Sequence, residues 1–176
     1  MKSITTYISE KMIYNKTTAS TYNYFPKTRE KLEDILKELI KERGNDGDFN
    51  DIDTSEITDM SNLFSPDFCG DVSEWDVSNV TNMKWMFDGC EKFNCDLSKW
   101  NVSNVREMTG MFRFCREFEG KGLDKWNTHN LKNCFKTFNG CKKFDANLSN
   151  WNMEKVTTTE EMFAWCIIYT GKGIEN

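Results

Sequence analysis

Cysteine, histidine and clustered acidic side chains are the residues of this 176-residue chain whose types could do chemistry. Seven cysteines stand beside a single histidine, His129. Four of them, Cys90, Cys115, Cys141 and Cys166, recur at spacings of 25, 26 and 25 residues. A ladder of thiols invites a soft-metal or redox reading. However, no CxxC pair occurs, and a tetrahedral zinc site needs such closely spaced ligands, often with histidine. The four fall on an apolar stripe, where cysteine acts as a small buried hydrophobe. No metal or cofactor is expected.

The stretch NDGDFNDID, Asn45 to Asp53, carries calcium-like acidic spacing. An EF-hand loop requires glycine at its sixth position and glutamate at its twelfth. Counting from Asp46, those positions hold Asp51 and Ile57, so the segment reads as a solvated turn. His129 stands where related positions carry Ser78 and Ser103. No serine nucleophile, acid pair or glycine-rich phosphate loop accompanies it in the pattern. It reads as a surface or capping substitution, and no enzyme is expected.

What must position these residues is an internal repeat. Trp75, Trp100, Trp126 and Trp151 are spaced by 25, 26 and 25, and Ile52 opens a variant first copy. Apolar columns follow at +5 (Ile57, Val80, Val105, Leu131, Val156) and at +12 (Phe64, Phe87, Phe112, Phe138, Phe163). Columns at +8 and +11 hold mainly methionine, and the cysteines stand at +15. These positions share a period between 3 and 3.6, which predicts a short helix in each copy, with Ser78 and Ser103 as N-caps. Phe93, Cys95 and Leu97 then alternate with Asn94, Asp96 and Ser98, which predicts a strand with one buried face. The third copy has one extra residue in FEGKGLDKW, where a bulge or loop is expected.

One such unit cannot bury its own apolar face, whereas stacked neighbours can. The expected fold class is therefore α/β, a leucine-rich-repeat-like solenoid of about five helix-plus-strand coils. It would carry a parallel sheet, with coils about 4.8 Å apart. Residues 27–44 predict an N-terminal capping helix, with Leu32, Ile35, Leu36, Leu39 and Ile40 on its apolar face and Gly44 at its stop. Residues 1–26 form a leader or appendage and residues 45–176 the repeat. The closing YTGKGIEN parallels FEGKGLDK of the third copy, which predicts an open last coil.

The phrase built from Phe93, Asp96, Leu97, Ser98, Trp100, Val102, Ser103, Asn104, Val105, Met108, Met111, Phe112 and Cys115 resembles the BspA-type leucine-rich repeat family. That family is also catalogued as a domain of unknown function in mycoplasmas. The resemblance spans about residues 27 to 174. It implies a solenoid with a binding role, often at bacterial surfaces, and no catalytic residues. The opening MKSITTYISEKMIYNK lacks the continuous apolar stretch of a secretory signal, so the expected location is cytoplasmic rather than surface. It also resembles leaders of phage-encoded proteins of gut bacteria.

A net charge of −5 without a basic stripe argues against nucleic-acid binding. No run of 18 apolar residues occurs, so no membrane span is expected. The expected function is a non-enzymatic protein–protein interaction module, a phage or host-interaction factor that blocks a cellular protein. The alternative is a self-associating structural or virion-associated protein, adhesin-like in role. Polar residues of the predicted strands, including Asp71, Asn94, Asp96, Asp145 and Asn147, form either a partner-binding face or hydrogen-bonded ladders that stiffen the stack. Trp85 is the foremost candidate contact, either as an interface anchor or lying over Gly110 of the next copy. The column Gly89, Phe114, Gly140, Trp165 alternates large with absent, as interlocking packing would. The open C-terminal edge, with Trp165, Ile167, Ile168, Tyr169 and Ile174, is a candidate site of homo-oligomer formation or partner docking.

Overall fold

A computed structural model describes residues 21–171. Helix α1, Arg29–Arg43, lies inside the segment expected to be helical. Thr28 caps it by accepting from the Lys31 N–H, and Gly44 closes it with φ of 81° while donating to the Ile40 carbonyl. Leu32, Ile35, Leu36 and Leu39 are buried in the same core as the repeat. No helix among the described residues is long and apolar enough to cross a membrane.

Beyond α1 the expected fold class is overturned. Apart from a single 3-10 turn, Leu123–Lys125, the described repeat contains no helix. Its strand pairing consists of isolated parallel bridges with no sheet. A leucine-rich-repeat-like solenoid of helix-plus-strand coils is therefore not what the described residues form, and they hold no concave sheet.

The helix expectation failed because consecutive turns mimic its period. In the second copy Met86 N donates to Met83 O, Asp88 N to Trp85 O, and Cys90 N to Phe87 O. These are successive three-residue turns, at positions +8, +10 and +12. The backbone at +10 lies in the left-handed region in every copy: Asn62, Trp85, Gly110, Lys136 and Glu161 have φ between 51° and 56°. The same holds at +14 for Gly89, Phe114, Gly140 and Trp165. Left-handed residues recurring this often interrupt any α-helix. A three-residue rhythm of turns still places +5, +8, +11, +12 and +15 inward.

The strand expectation failed for a different reason. Phe93 and Leu97 are buried as the alternation required. But Asp48, Asp71, Asp96 and Asn147 each accept the N–H two residues on, from Asn50, Ser73, Ser98 and Ser149. Such side-chain-to-backbone bonds turn the chain and compete with a ladder. The same device recurs at +1, where Asp76, Asn101 and Asn127 receive Ser78, Ser103 and His129. Ser78 and Ser103 are thus turn donors, not helix caps. The extra residue of the third copy is taken up by Gly120 and Gly122, with φ of 84° and 88°.

Successive copies are joined by backbone bonds in register. Bridges link Asp59, Asn82, Glu107, Asn133 and Thr158 in one column. Each anchor indole also donates to the carbonyl three residues before the previous anchor position: Trp75 to Phe49, Trp100 to Val72, Trp126 to Leu97 and Trp151 to Leu123. The +12 phenylalanines stack with centroids 5.0 to 5.7 Å apart. A second column, Phe68, Phe93, Phe118, Phe144 and Tyr169, runs beside it.

Candidate functional site

The +15 cysteines are structural donors. Cys115, Cys141 and Cys166 Sγ each lie 2.9 to 3.0 Å from the carbonyl of Phe87, Phe112 and Phe138. Cys90 reaches Ser65 O at 3.2 Å. Burial pushes the Cys90 thiol up to about 12 and Cys166 to about 11. It drives Cys115 and Cys141 well above the ordinary thiol range. A thiolate is the nucleophile and the metal ligand, and this environment suppresses it.

The other chemically suggestive residues are also held in turns. His129 sits between Asn127 Oδ1, 2.9 Å from its Nδ1, and Asn130 Nδ2, 2.8 Å from its Nε2. In the calcium-like stretch, Asp48 and Asp53 accept backbone N–H groups. Asp51 is engaged twice by Arg43 at 2.7 and 3.0 Å. Burial raises the Asp51 carboxyl, but hydrogen bonds from Arg43 and Asn23 bring it below its usual value.

The polar residues proposed for a binding face are spread along the turns. Besides Ser73, Asp71 accepts from Cys95 Sγ. Asn94 is half-buried and accepts the Glu119 N–H at 3.0 Å. Asp96 and Asn147 are exposed, with one side-chain oxygen each in a turn. Asp145 is half-buried and accepts from Thr170 Oγ1 at 3.3 Å.

A tighter constellation forms on the +10 to +14 turns. Trp85 is half-buried and lies over Gly110: a Cβ there would meet its Cζ3 at 1.6 Å. Phe114 lies likewise over Gly140, where a Cβ would meet its Cδ1 at 2.4 Å. Arg113 stands between the two aromatics, its Cζ 4.7 Å from the Trp85 ring and 5.0 Å from the Phe114 ring. Asp88 of the preceding copy clamps the guanidinium at 2.7 and 2.9 Å. Phe114 remains 41% exposed. Arg113, Asp88 and the exposure of Phe114 were missed at the sequence level, though a signal existed. Asp88 and Arg113 occupy the +13 column in adjacent copies with opposite charge, and Glu74 and Lys99 pair in the same way in the column just before the anchor.

At the C-terminal end Trp165 is 79% exposed, with Ile167 and Ile168 exposed beside it. Tyr169 instead stacks on Phe163 at 4.2 Å. Ile174 lies outside the described residues.

This periodic turn pattern has a counterpart among known families. A family model described as Mycoplasma protein of unknown function, DUF285, matches residues 32–122 and again residues 115–172. The chain belongs to the DUF285 family. The DUF285 match takes in most of α1 and all four tryptophan anchors. Comparison with curated proteins and with solved structures returned no match.

Proposed function

We propose that this DUF285 chain is a non-enzymatic protein-interaction module acting in the cytoplasm. The observation that carries the reading is the Trp85–Arg113–Phe114 cluster, an arginine held between two aromatic rings on an exposed turn surface. Trp, Tyr and Arg dominate the energetic centres of interfaces. Here Asp88 and the glycines beneath the rings fix the geometry beforehand, so little side-chain entropy is lost on binding. The guanidinium is already paired, so the face suits a protein partner offering apolar or aromatic side chains. The suppressed thiols and the turn-bound His129 support a role without chemistry. The resemblance of the opening residues to phage leaders supports a factor that occupies a cellular protein.

The test is a tagged pull-down from a lysate of the source cells, read by mass spectrometry, with Trp85→Ala and Phe114→Ala alongside. One stoichiometric partner should be recovered and weakened roughly 30-fold by either change, as for a hot spot of about 2 kcal/mol. Retention of that partner by both variants, or recovery of the protein only with itself, would contradict the reading. The second outcome would favour a self-associating structural protein.

A further inference from the structure

From +8 to +14 the backbone bonds between copies run one way, whereas at +6 Thr81, Arg106, Lys132 and Thr157 N donate back to Thr58, Thr81, Arg106 and Lys132 O. At +8, Met60, Met83, Met108 and Cys134 N donate to the +7 carbonyls of the next copy, Asn82, Glu107, Asn133 and Thr158. At +10, Asn62, Trp85, Gly110 and Lys136 donate to Lys84, Thr109, Phe135 and Glu160. At +12, Phe64, Phe87, Phe112 and Phe138 donate to Met86, Met111, Thr137 and Met162. At +14, Gly89, Phe114 and Gly140 donate to Arg113, Asn139 and Ala164. Alternate peptide planes are thus aligned, with N–H toward the C-terminal end of the stack and C=O toward the N-terminal end. As in a helix, the dipoles add.

The two ends are treated differently. At the acceptor end Arg29 Nε donates to the Ser61 carbonyl, the +9 position of the first copy, at 3.0 Å. A cation there suits the negative end, and α1 packs its buried face into the same core. At the donor end the corresponding N–H groups belong to Thr159, Glu161, Phe163 and Trp165, and none finds an acceptor among the described residues. The backbone there is already in the docking conformation, with Glu161 and Trp165 at φ of 53° and 64°. Trp165 stands in the column where Phe114 covers Gly140.

We propose that this C-terminal face docks the acceptor edge of a further repeat unit of this type. The partner would present four backbone carbonyls in the two-residue rhythm of +7, +9, +11 and +13, with glycine opposite Trp165. Two copies of this chain fit the chemistry less well. Tail to tail, this row of donors meets donors; head to tail, Arg29 already occupies the Ser61 carbonyl of the acceptor edge. A regular β-strand fits poorly, because its edge alternates N–H with C=O. The four junctions inside the molecule already display the required contact. This inference deepens the interaction-module reading by naming a second surface and the chemistry of its partner.

The probe is a synthetic peptide of residues 122–150, whose Asn133, Phe135, Thr137 and Asn139 carbonyls accept this row of donors within the molecule. It is added to the intact protein, and amide exchange is followed at Thr159, Glu161, Phe163 and Trp165. A tethered version appends residues 126–150 after Asn176, which sets the new tryptophan 26 residues beyond Trp151, the spacing of Trp100 to Trp126. Tethering raises the effective concentration to about millimolar. Slowing of those four amides by about tenfold or more in both formats, with a blue shift of Trp165 emission, supports the proposal. Both effects should vanish when the added unit carries Gly140→Val. Protection in neither format, in the tethered form alone, or undiminished by that change overturns it. Trp85→Ala and Phe114→Ala should leave the protection intact, which separates this surface from the lateral cluster.

Discussion

At the residue scale, the cysteine column shows how a chemically suggestive pattern serves packing. Each thiol in it donates to a carbonyl of the preceding copy, a contact that requires the proton to stay on sulfur. Because burial raises these thiols in the fold, their contribution to stability is complete below the unfolded thiol value near 9. It is lost as pH rises toward about 12 for Cys90 and about 11 for Cys166. Stability to urea should therefore fall on going from pH 8 to pH 10.5. At pH 8, Cys90, Cys115 and Cys141 should resist a thiol reagent in the native protein and react once it is unfolded. Rapid native labelling of Cys115 would contradict this. The burial of this column was legible in the sequence, because an apolar stripe constrains side-chain type. The hydrogen bond was not, because it depends on the height of the neighbouring turn.

At the scale of the element, the turn with left-handed residues at +10 and +14 is the unit of construction, and it explains what was misread. A helix and a run of three-residue turns bury nearly the same positions, so periodicity alone does not separate them. The glycines did carry the distinction: Gly110 at +10 and Gly89 and Gly140 at +14 sit where φ is positive. Asn62, Trp85, Lys136 and Glu161 conceal it by adopting the same conformation without glycine. That strain is offset by the N–H each donates or, in Glu161, offers to a following unit. The expected polar strand face dissolved because Asp71, Asp96 and Asn147 turn their own backbone. The alternation of large and absent side chains was legible, since a missing Cβ beneath a ring is a packing signal. Gly110→Ala should cost about 1–3 kcal/mol from overpacking against Trp85 and backbone strain. In a chemical-denaturation cycle, Trp85→Ala in the Gly110→Ala background should recover part of that loss, with a coupling of about 1 kcal/mol. Strict additivity would show that the ring does not rest on Gly110.

At the scale of the whole molecule, the stack has a polarity that no single copy reveals. One end is closed by α1 with Arg29 on a carbonyl, and the last described copy presents four N–H groups that find no acceptor among the described residues, beside exposed Trp165, Ile167 and Ile168. The repeat itself was legible from the tryptophan spacing, and its polarity was not, because the direction of a peptide plane leaves no mark in side-chain type. The lateral cluster is likewise a product of stacking: Asp88 and Trp85 come from one copy, Arg113 and Phe114 from the next. The claim on which all of this rests is the one-way bonding between copies from +8 to +14, and residue-resolved amide exchange on the intact protein tests it most directly. The account predicts that the amides of Trp85, Phe87, Gly110, Phe112, Lys136 and Phe138 exchange slowly, while Glu161 and Phe163, at the same positions of the last described copy, exchange quickly. Equal protection of Phe112 and Phe163, or fast exchange at both, would contradict it.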